Sequence, residues 1–363
     1  MRLGTPFADQ LGLSLPVIQA PMAGGPSTPE LVAACSSAGA LGSFGFAYTQ
    51  PEEMTRQSAW VRGRTDRPFG INLFASPQPP LIAAEAQKAA LDAVAGYYAE
   101  LGLPPPAPVK APYAPDFEAQ LAAVADIRPR VFTVHLGDLE SAQVSRFKSL
   151  GIAVGGSATC VAEAARLEAL GFDFVIAQGG EAGGHRGTYL RDPNAALTGT
   201  LALTRLLVRA VRVPVVASGG IMDGAGIAAA LALGAQAAQL GTAFLPCPES
   251  GAAEVHKQAL LASREDETAI TEKFSGKPAR GVVNRFMRET AARDAPSLAF
   301  PAQNSVTGKL RAASARAGKP DFVAMWAGQA AALSRALPAH ELIRRLEQEA
   351  IHAIRASASF LKE

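Results

Sequence analysis

Residues 178–187, with the sequence QGGEAGGHRG, form the segment whose composition is best suited to chemistry. Five glycines surround Glu181 and His185 there. Such a segment packs no core and is costly to order, so it makes sense where backbone must lie against a flat ligand. A histidine can take up or return a proton near neutral pH. We therefore expect His185 to be catalytic; the alternative is a surface histidine in a flexible loop.

Two shorter glycine-containing turns, ASGG at residues 217–220 and QLGT at residues 239–242, are suited to phosphate binding. Glycine lets the backbone approach a phosphate and donate its N–H groups, and a following helix adds partial positive charge. Because both turns follow predicted strands, together they favour a phosphorylated ligand. The alternative is tight turn geometry without any ligand.

Several polar residues lie at the ends of apolar segments. Asn72 and Gln178 each pair with backbone or contact a ligand, because an unpaired buried amide is costly, and the strand-end position favours the ligand. His135 is equally consistent with a hydrogen-bonded buried histidine and with a functional one. We expect Glu181 to accept hydrogen bonds from N–H groups of its own loop. Arg186 either orients an anionic substrate or faces solvent.

The elements that must position these residues are short apolar strands between alanine- and leucine-rich helices. The strand segments do not alternate polar with apolar residues, which indicates burial on both faces, as in a parallel sheet. Thr28 is expected to cap a helix that starts at Pro29 and ends at Gly39. The predicted strands are residues 17–19, 41–44, 70–74, 131–135, 152–154, 174–177, 213–217 and 237–240.

Eight strands that alternate with helices predict an α/β protein with a (β/α)8 TIM barrel, which typically needs about 250 residues. A doubly wound sheet is the alternative. It is disfavoured because no GxGxxG motif follows the first strand, and the glycine-rich loops follow the sixth and seventh. In a TIM barrel the active face lies at the carboxyl ends of the strands. The glycine-rich segments above fall at these ends.

The remaining segments suggest additions to the barrel. We expect residues 1–245 to form the barrel, with a helical insertion near residues 77–126. Residues 246–335 show no further strand pattern and are predicted to form a smaller, mostly helical subdomain that acts as a substrate-covering lid. Residues 336–363 are predicted to form a C-terminal helix that packs back on the barrel.

Charge and cysteine content exclude several function classes. The 363 residues include 34 lysines and arginines against 32 acids, a net charge of +2. This near-balance argues against binding to nucleic acid or a membrane surface, since both need a clustered basic excess. Cys35, Cys160 and Cys247 form no paired motif, which disfavours a metal site or disulfide framework. The pattern predicts neither signal peptide nor membrane span, so we expect a cytoplasmic protein.

The motifs, taken in order, resemble the nitronate monooxygenases, formerly called 2-nitropropane dioxygenases. The resemblance rests on QAPMAG at residues 19–24, GINL at 70–73, the glycine-rich segment, and the turns at 217–221 and 239–242. It continues into FSGKPARG at 274–281 and WAGQ at 326–329. The glycine-rich segment with both turns is specific for the wider group of flavin-binding barrels. The later motifs favour the nitronate-oxidising branch.

This resemblance implies non-covalently bound FMN, no metal, and His185 as the catalytic residue. The implied reaction is oxidation of an alkyl nitronate by dioxygen to a carbonyl compound and nitrite. His185 would remove the α-proton of a neutral nitroalkane or stabilise the bound anion. The predicted cofactor contacts are Met22, Asn72, Gln178, Gly183, Gly219, Gly220, Gln239, Leu240, Gly241 and Thr242.

The resemblance is weaker near the C-terminus and does not by itself name the substrate. The family has a tyrosine before the proline where this chain has Phe300-Pro301, so a substrate-binding hydroxyl is lost, and Lys309 is the expected anion contact. Candidate substrates include propionate 3-nitronate and neutral nitroalkanes, and the protein is expected to be a monomer or homodimer. One alternative function is an NAD(P)H-dependent flavin reductase of quinones or enoyl thioesters. The other is a non-catalytic barrel that binds flavin or phosphate.

Overall fold

A closed barrel of parallel strands is the central feature of the computed structural model, which describes residues 3–75 and 82–361. Eight strands pair in parallel in the order β1-β9-β8-β6-β5-β4-β3-β2. Backbone bonds from Gln19 N–H to the Leu41 carbonyl and from Leu41 N–H to the Val17 carbonyl, both 2.9 Å, join β1 to the start of β2 and close the ring. The predicted TIM barrel is thus confirmed. The barrel strands are β1 Val17–Gln19, β2 Gly42–Gly45, β3 Phe69–Phe74, β4 Val131–His135, β5 Ala153–Ala158, β6 Phe174–Gln178, β8 Val215–Ser218 and β9 Ala237–Leu240.

The strand β5 is longer than predicted, because glycines within it interrupt the apolar pattern. It spans Ala153–Ala158 rather than residues 152–154. A Cβ atom at Gly155 would lie 2.2 Å from the ring of Phe174. The ring of this neighbouring strand therefore fills the space that a side chain at position 155 would need.

The helices begin and end at the signals seen in the sequence. The Thr28 hydroxyl accepts a hydrogen bond from Leu31 N–H, Pro29 is the first residue of α2, and Gly39 adopts a φ of +95° just after it. No helix in the described part of the chain is long and apolar enough to cross a membrane. The helices are α1 Pro6–Leu11, α2 Pro29–Ser37, α3 Pro51–Arg62, α4 Ala84–Glu100, α5 Phe117–Ile127, α6 Ser141–Ser149, α7 Val161–Ala169, α8 Thr200–Ala210, α9 Gly224–Ala232, α10 Glu254–Leu261, α11 Arg285–Ala292, α12 Ala302–Arg316 and α13 Ala339–Ala358.

The helix α4 belongs to a second apolar core, away from the barrel wall. Its Tyr97 and Tyr98 pack with Phe274, Phe286 and Phe322 from later in the chain. By contrast, α5 packs against the barrel helix α3. The segment predicted as one insertion, near residues 77–126, therefore contributes to two cores; its residues 77–81 lie outside the described residues.

A small antiparallel sheet contradicts the expectation that no strand follows residue 246. It pairs β10 (Thr268–Thr271) with β11 (Ala279–Val282), and β11 with β7 (Gly184–His185). In this ladder Ala279 lies opposite His185. The prediction failed because β10 and β11 span only four residues each and contain threonine, arginine and glycine, so neither shows an apolar run. The sheet joins the glycine-rich loop to the later part of the chain.

The C-terminal helix α13 packs on the outside of the barrel against α9 and α2. Leu342, Ile343, Leu346 and Ala350 form its buried face. Close approach to α9 depends on Gly224, because a Cβ atom there would lie 2.2 Å from the backbone nitrogen of Ala350. This contact packs α13 against α9, the helix that follows the predicted phosphate turn at residues 217–220.

Candidate active site

A cavity of about 580 Å³ opens at the carboxyl ends of the barrel strands. This volume lies within the usual range for small-molecule sites, roughly 300–1,000 Å³. Residues of α12 and Trp326 complete its wall. The lining includes His185 and the predicted cofactor contacts Met22, Asn72, Gln178, Gly183, Gly219, Gly220, Gln239, Gly241 and Thr242.

Leu240 is the one predicted cofactor contact that does not line the cavity. Successive side chains of a strand point to opposite faces, so Gln239 faces the cavity and Leu240 does not. Leu240 instead packs in the core that includes α13. Its carbonyl accepts a 2.8 Å hydrogen bond from Ala20 N–H, so its backbone acceptor is used as well.

The turns after β8 and β9 form a cradle suited to phosphate. Gly219 and Gly220 have φ values of +122° and +70°, which strongly favour glycine. A Cβ atom at Gly219 would lie 2.7 Å from the Thr200 hydroxyl oxygen. The backbone N–H groups of Gly219, Gly220 and Gly241 have no protein acceptor among the described residues. Donors that line a cavity without an acceptor are suited to an anionic ligand, so these turns fit the phosphate of a flavin nucleotide.

The WAGQ segment holds the glycine-rich loop in place from the far end of the sequence. Gly328 N–H donates to the Thr242 hydroxyl at 3.0 Å. Gln329 N–H donates to the Glu181 carbonyl at 2.9 Å. A Cβ atom at Gly183 would lie 2.5 Å from the Ala327 carbonyl carbon, so backbone packs directly on backbone. The loop is therefore ordered by contacts that no local pattern reveals.

The charged residues of this loop are structural. Glu181 accepts bonds of 2.7 Å from both the N–H and the hydroxyl of Thr200, at the start of α8 rather than in its own loop as predicted. Both interpretations of Arg186 are wrong, because its side chain is fully buried and does not line the cavity. Its guanidinium donates to the carbonyls of Gly179, Gln178 and Ala196. Burial, together with nearby Arg280, lowers the pKa of Arg186 to about 10.

Two side chains hold the carbonyl of His185. Gln178 Nε2 donates to it at 2.9 Å, and Gln178 Oε1 accepts from Gly187 N–H at 2.7 Å. His135 Nε2 lies 3.1 Å from the same carbonyl, and its Nδ1 lies 2.8 Å from the Ser157 hydroxyl. Burial lowers the pKa of His135 to about 4, so its ring is neutral at pH 7. Gln178 and His135 both line the cavity. The two polar side-chain atoms of Gln178, however, bond to the backbone of the glycine-rich loop.

Asn72 pairs only half of its amide with the protein. Its Nδ2 donates to the carbonyl and hydroxyl of Thr133, at 3.1 Å and 2.9 Å. Its Oδ1 has no donor partner within the described structure. The two predicted alternatives, pairing with the protein and contact with a ligand, therefore apply to different atoms of Asn72. Its nitrogen bonds to Thr133, and its oxygen is left to accept a hydrogen bond from a ligand in the cavity.

The His185 ring sits among aromatic side chains with one nitrogen bonded. Its centroid lies 5.8 Å from that of Phe74, 5.3 Å from Phe300 and 5.7 Å from Trp326. Its Nε2 lies 2.9 Å from the Ser275 hydroxyl, which is placed to donate to the Lys277 carbonyl at 3.1 Å. Because the Ser275 hydroxyl donates its proton to the Lys277 carbonyl, it accepts a hydrogen bond from His185. We therefore assign the His185 proton to Nε2 and the lone pair to Nδ1.

Burial is the main cause of the low pKa of His185, followed by repulsion from His135 in its protonated form and from the charges of Lys277 and Arg311. Together they lower the pKa of His185 to about 3. A histidine with its ordinary pKa of 6.5 would be half protonated near that pH. In this pocket the ring remains neutral through the physiological range, so its lone pair is available without a prior deprotonation.

This pKa predicts a flat pH profile over the range where histidine normally titrates. With the preformed alkyl nitronate that the motif resemblance implies as substrate, we expect kcat/KM to change by less than about twofold between about pH 5 and pH 8. Because the His185 pKa is depressed, protonation sets in only below this window. Stopped-flow turnover, read before the nitronate reprotonates, measures the profile. A step centred near pH 6.5 that disappears in His185→Asn would contradict the pKa.

Four residues outside the main motifs are placed differently from what the sequence indicated, or were not predicted at all. Lys309, the expected anion contact, is exposed on α12 and does not line the cavity, whereas Arg311 does. Phe300 packs its ring against His185 and Phe74. His256 is buried at the cavity wall, and its Nε2 has no partner in the described structure. Helical spacing places Asn304, Gly308 and Arg311 on one face of α12, but it does not show that this face meets the cavity, and no sequence signal marked His256.

Comparisons with known proteins find relatives that match nearly the whole chain. A family model described as nitronate monooxygenase matches residues 7–349. The chain is 44% identical over 346 residues to a nitronate monooxygenase of Pseudomonas aeruginosa, covering 94% of this chain and 98% of that protein. It is 42% identical to one of Paraburkholderia phytofirmans, covering 96% of each. The crystal structure of a nitroalkane oxidase from Streptomyces ansochromogenes superposes with a TM-score of 0.90 at 41% identity, over 96% of this chain and 99% of the other.

Proposed function

The chain belongs to the nitronate monooxygenase family, and from this premise we propose that it oxidises alkyl nitronates with dioxygen on a bound FMN, giving a carbonyl compound and nitrite. The family is flavin-dependent. The observation that carries the proposal is one cavity that combines a phosphate cradle at Gly219, Gly220 and Gly241 with a neutral imidazole at His185.

FMN is the flavin that this cavity favours. It carries a single terminal phosphate, and the turns after β8 and β9 form a single cradle of N–H donors without protein acceptors. Asn72 supplies a free amide oxygen that can accept a bond from the ring system. Met22 and Gln239 would add contacts to the bound flavin from the lining. When bound, the flavin accepts electrons from the nitronate and returns them to dioxygen.

The protein residues control the proton and the water around the substrate. The lone pair on His185 Nδ1 can remove the α-proton of a neutral nitroalkane. Because burial opposes a charged imidazolium, this transfer is favourable only when the nitronate anion formed beside it compensates the charge. A substrate that arrives already ionised needs no such transfer. The rings of Phe74, Phe300 and Trp326 shield this position from water.

Oxygen uptake tests the proposal most directly. We expect the purified protein to be yellow, to release FMN on denaturation, and to consume dioxygen with an alkyl nitronate at least about tenfold faster than it oxidises NADPH. The control is the same protein stripped of flavin. Catalytic NADPH oxidation without nitronate turnover would select the flavin reductase, and a flavin-loaded protein inert to both donors would select a carrier.

A further inference from the structure

One face of α12 brings a cation to the cavity wall. Asn304, Gly308, Arg311 and Ala312 line the cavity, at the i, i+4, i+7 and i+8 positions that share one face of a helix. Lys309 lies off this face and is exposed. The helix therefore presents the guanidinium of Arg311, and not the nearby lysine, to the bound ligand.

Arg311 is held by neutral groups only. Its NH2 group donates to the Asn304 carbonyl at 3.0 Å and to the Asn304 side-chain oxygen at 2.6 Å, and its Nε donates to the Thr307 hydroxyl at 3.1 Å. Its NH1 group has no acceptor in the described part of the chain. These bonds orient the guanidinium without neutralising its charge.

No carboxylate balances this charge at the cavity. The described lining residues include neither aspartate nor glutamate, and the sequence of residues 76–81, SPQPPL, contains none. The flavin phosphate has its own cradle after β8 and β9, and the bonding partners of Arg311 belong to neither turn. A partly buried cation without a counter-charge is costly unless an anion joins it.

Tyr48 supplies a second donor to the same cavity. Its hydroxyl is buried and has no partner within the described structure. Burial raises the pKa of Tyr48 more than the charge of Arg311 lowers it, so the phenol stays protonated and can donate a hydrogen bond. The Tyr48 ring contacts Phe74, with ring centroids 5.8 Å apart. Phe74 in turn contacts His185, the proposed catalytic residue, also at 5.8 Å.

We propose that Arg311 and Tyr48 bind the anionic oxygens of the substrate and make the enzyme prefer an ionised nitronate over a neutral nitroalkane. The inference rests on the proposed function and adds its specificity-determining residues. Arg311 provides charge and Tyr48 provides a neutral donor, a combination that recognises an oxyanion and gives little to a neutral molecule.

The test separates charged from neutral ligands. In Arg311→Gln we expect KM for an alkyl nitronate to rise about 10- to 100-fold, and KM for freshly dissolved nitroethane to change less than about threefold. Arg311→Lys should recover part of the loss, and Tyr48→Phe should show a smaller rise. Lys309→Gln, on the same helix, is the matched control and should behave as wild type. Equal effects on both substrates, or no effect, would overturn the proposal.

Nitrate binding provides a readout that needs no turnover. We expect nitrate to bind the flavin-loaded wild type in calorimetry and to compete with the nitronate, and the Arg311→Gln protein to bind it at least about tenfold more weakly. Thermal melting and flavin content confirm that each variant is folded and loaded. Nitrate bound equally by both proteins overturns the anion site. Wild type that binds nitrate but oxidises no nitronate overturns the proposed function alone.

Discussion

Replacing His185 with asparagine is expected to leave FMN bound while reducing turnover of a neutral nitroalkane by about 10²- to 10⁴-fold. Asparagine keeps a polar group of similar size but has no lone pair basic enough to take the α-proton. Turnover of preformed nitronate should fall less, because this substrate arrives already ionised. Steady-state oxygen uptake with both substrates, at matched flavin content, measures the difference.

Two further variants make this result specific. His340→Asn changes an exposed histidine on α13 and should leave both activities unchanged. Ser275→Ala removes the partner of His185 Nε2 and should cost about tenfold with the neutral substrate, because the ring loses its fixed orientation and tautomer. If His185→Asn retains wild-type turnover of the neutral substrate, the base role of His185 is wrong.

Gly219→Ala is expected to weaken FMN binding by about 100-fold or more. The φ of +122° at Gly219 is strained for any other residue, and a Cβ atom would lie 2.7 Å from the Thr200 hydroxyl oxygen. Relief of this clash moves the N–H donors out of the phosphate cradle. Fluorescence titration of the flavin-free protein with FMN and with riboflavin measures the loss, and only the FMN affinity should fall steeply.

The matched control for this variant is Gly96→Ala in α4. Gly96 is exposed, and a Cβ atom there would meet no other atom within 4 Å. The substitution should therefore leave both flavin affinities unchanged and should not lower the melting temperature. If Gly219→Ala binds FMN as tightly as wild type does, the turn after β8 does not hold the phosphate.

Local patterns were enough to predict the barrel. Buried strands read as continuous apolar runs, and helix signals such as Thr28, Pro29 and Gly39 act within a few residues of the backbone that they shape. The turns at Gly219 and Gly241 were identifiable for the same reason, since a positive φ or a free N–H group belongs to the local backbone. His185 stood out because a glycine-rich loop has no other evident purpose.

Side-chain environments could not be deduced in this way. Arg186 follows His185 directly, yet its side chain is buried, and its guanidinium donates hydrogen bonds to three carbonyls, one of them of residue 196. The amide of Gln178 is committed to its own loop, and Leu240 faces the core rather than the cavity. Leu240 packs with α13 and one bond of Arg186 reaches residue 196, so the environment of these two side chains depends on segments that meet only in the assembled fold.

The barrel was thus predictable from local sequence, because short-range backbone preferences and the apolar pattern of the strands encode it. The same local signals predict the phosphate turns and a catalytic role for His185. The three-dimensional contacts, by contrast, show that β11 pairs with the loop at His185, that the Ser275 hydroxyl lies against His185 Nε2, and that Arg311 rather than Lys309 reaches the cavity. These features depend on contacts between residues far apart in the chain, and such contacts leave no periodic trace in either partner.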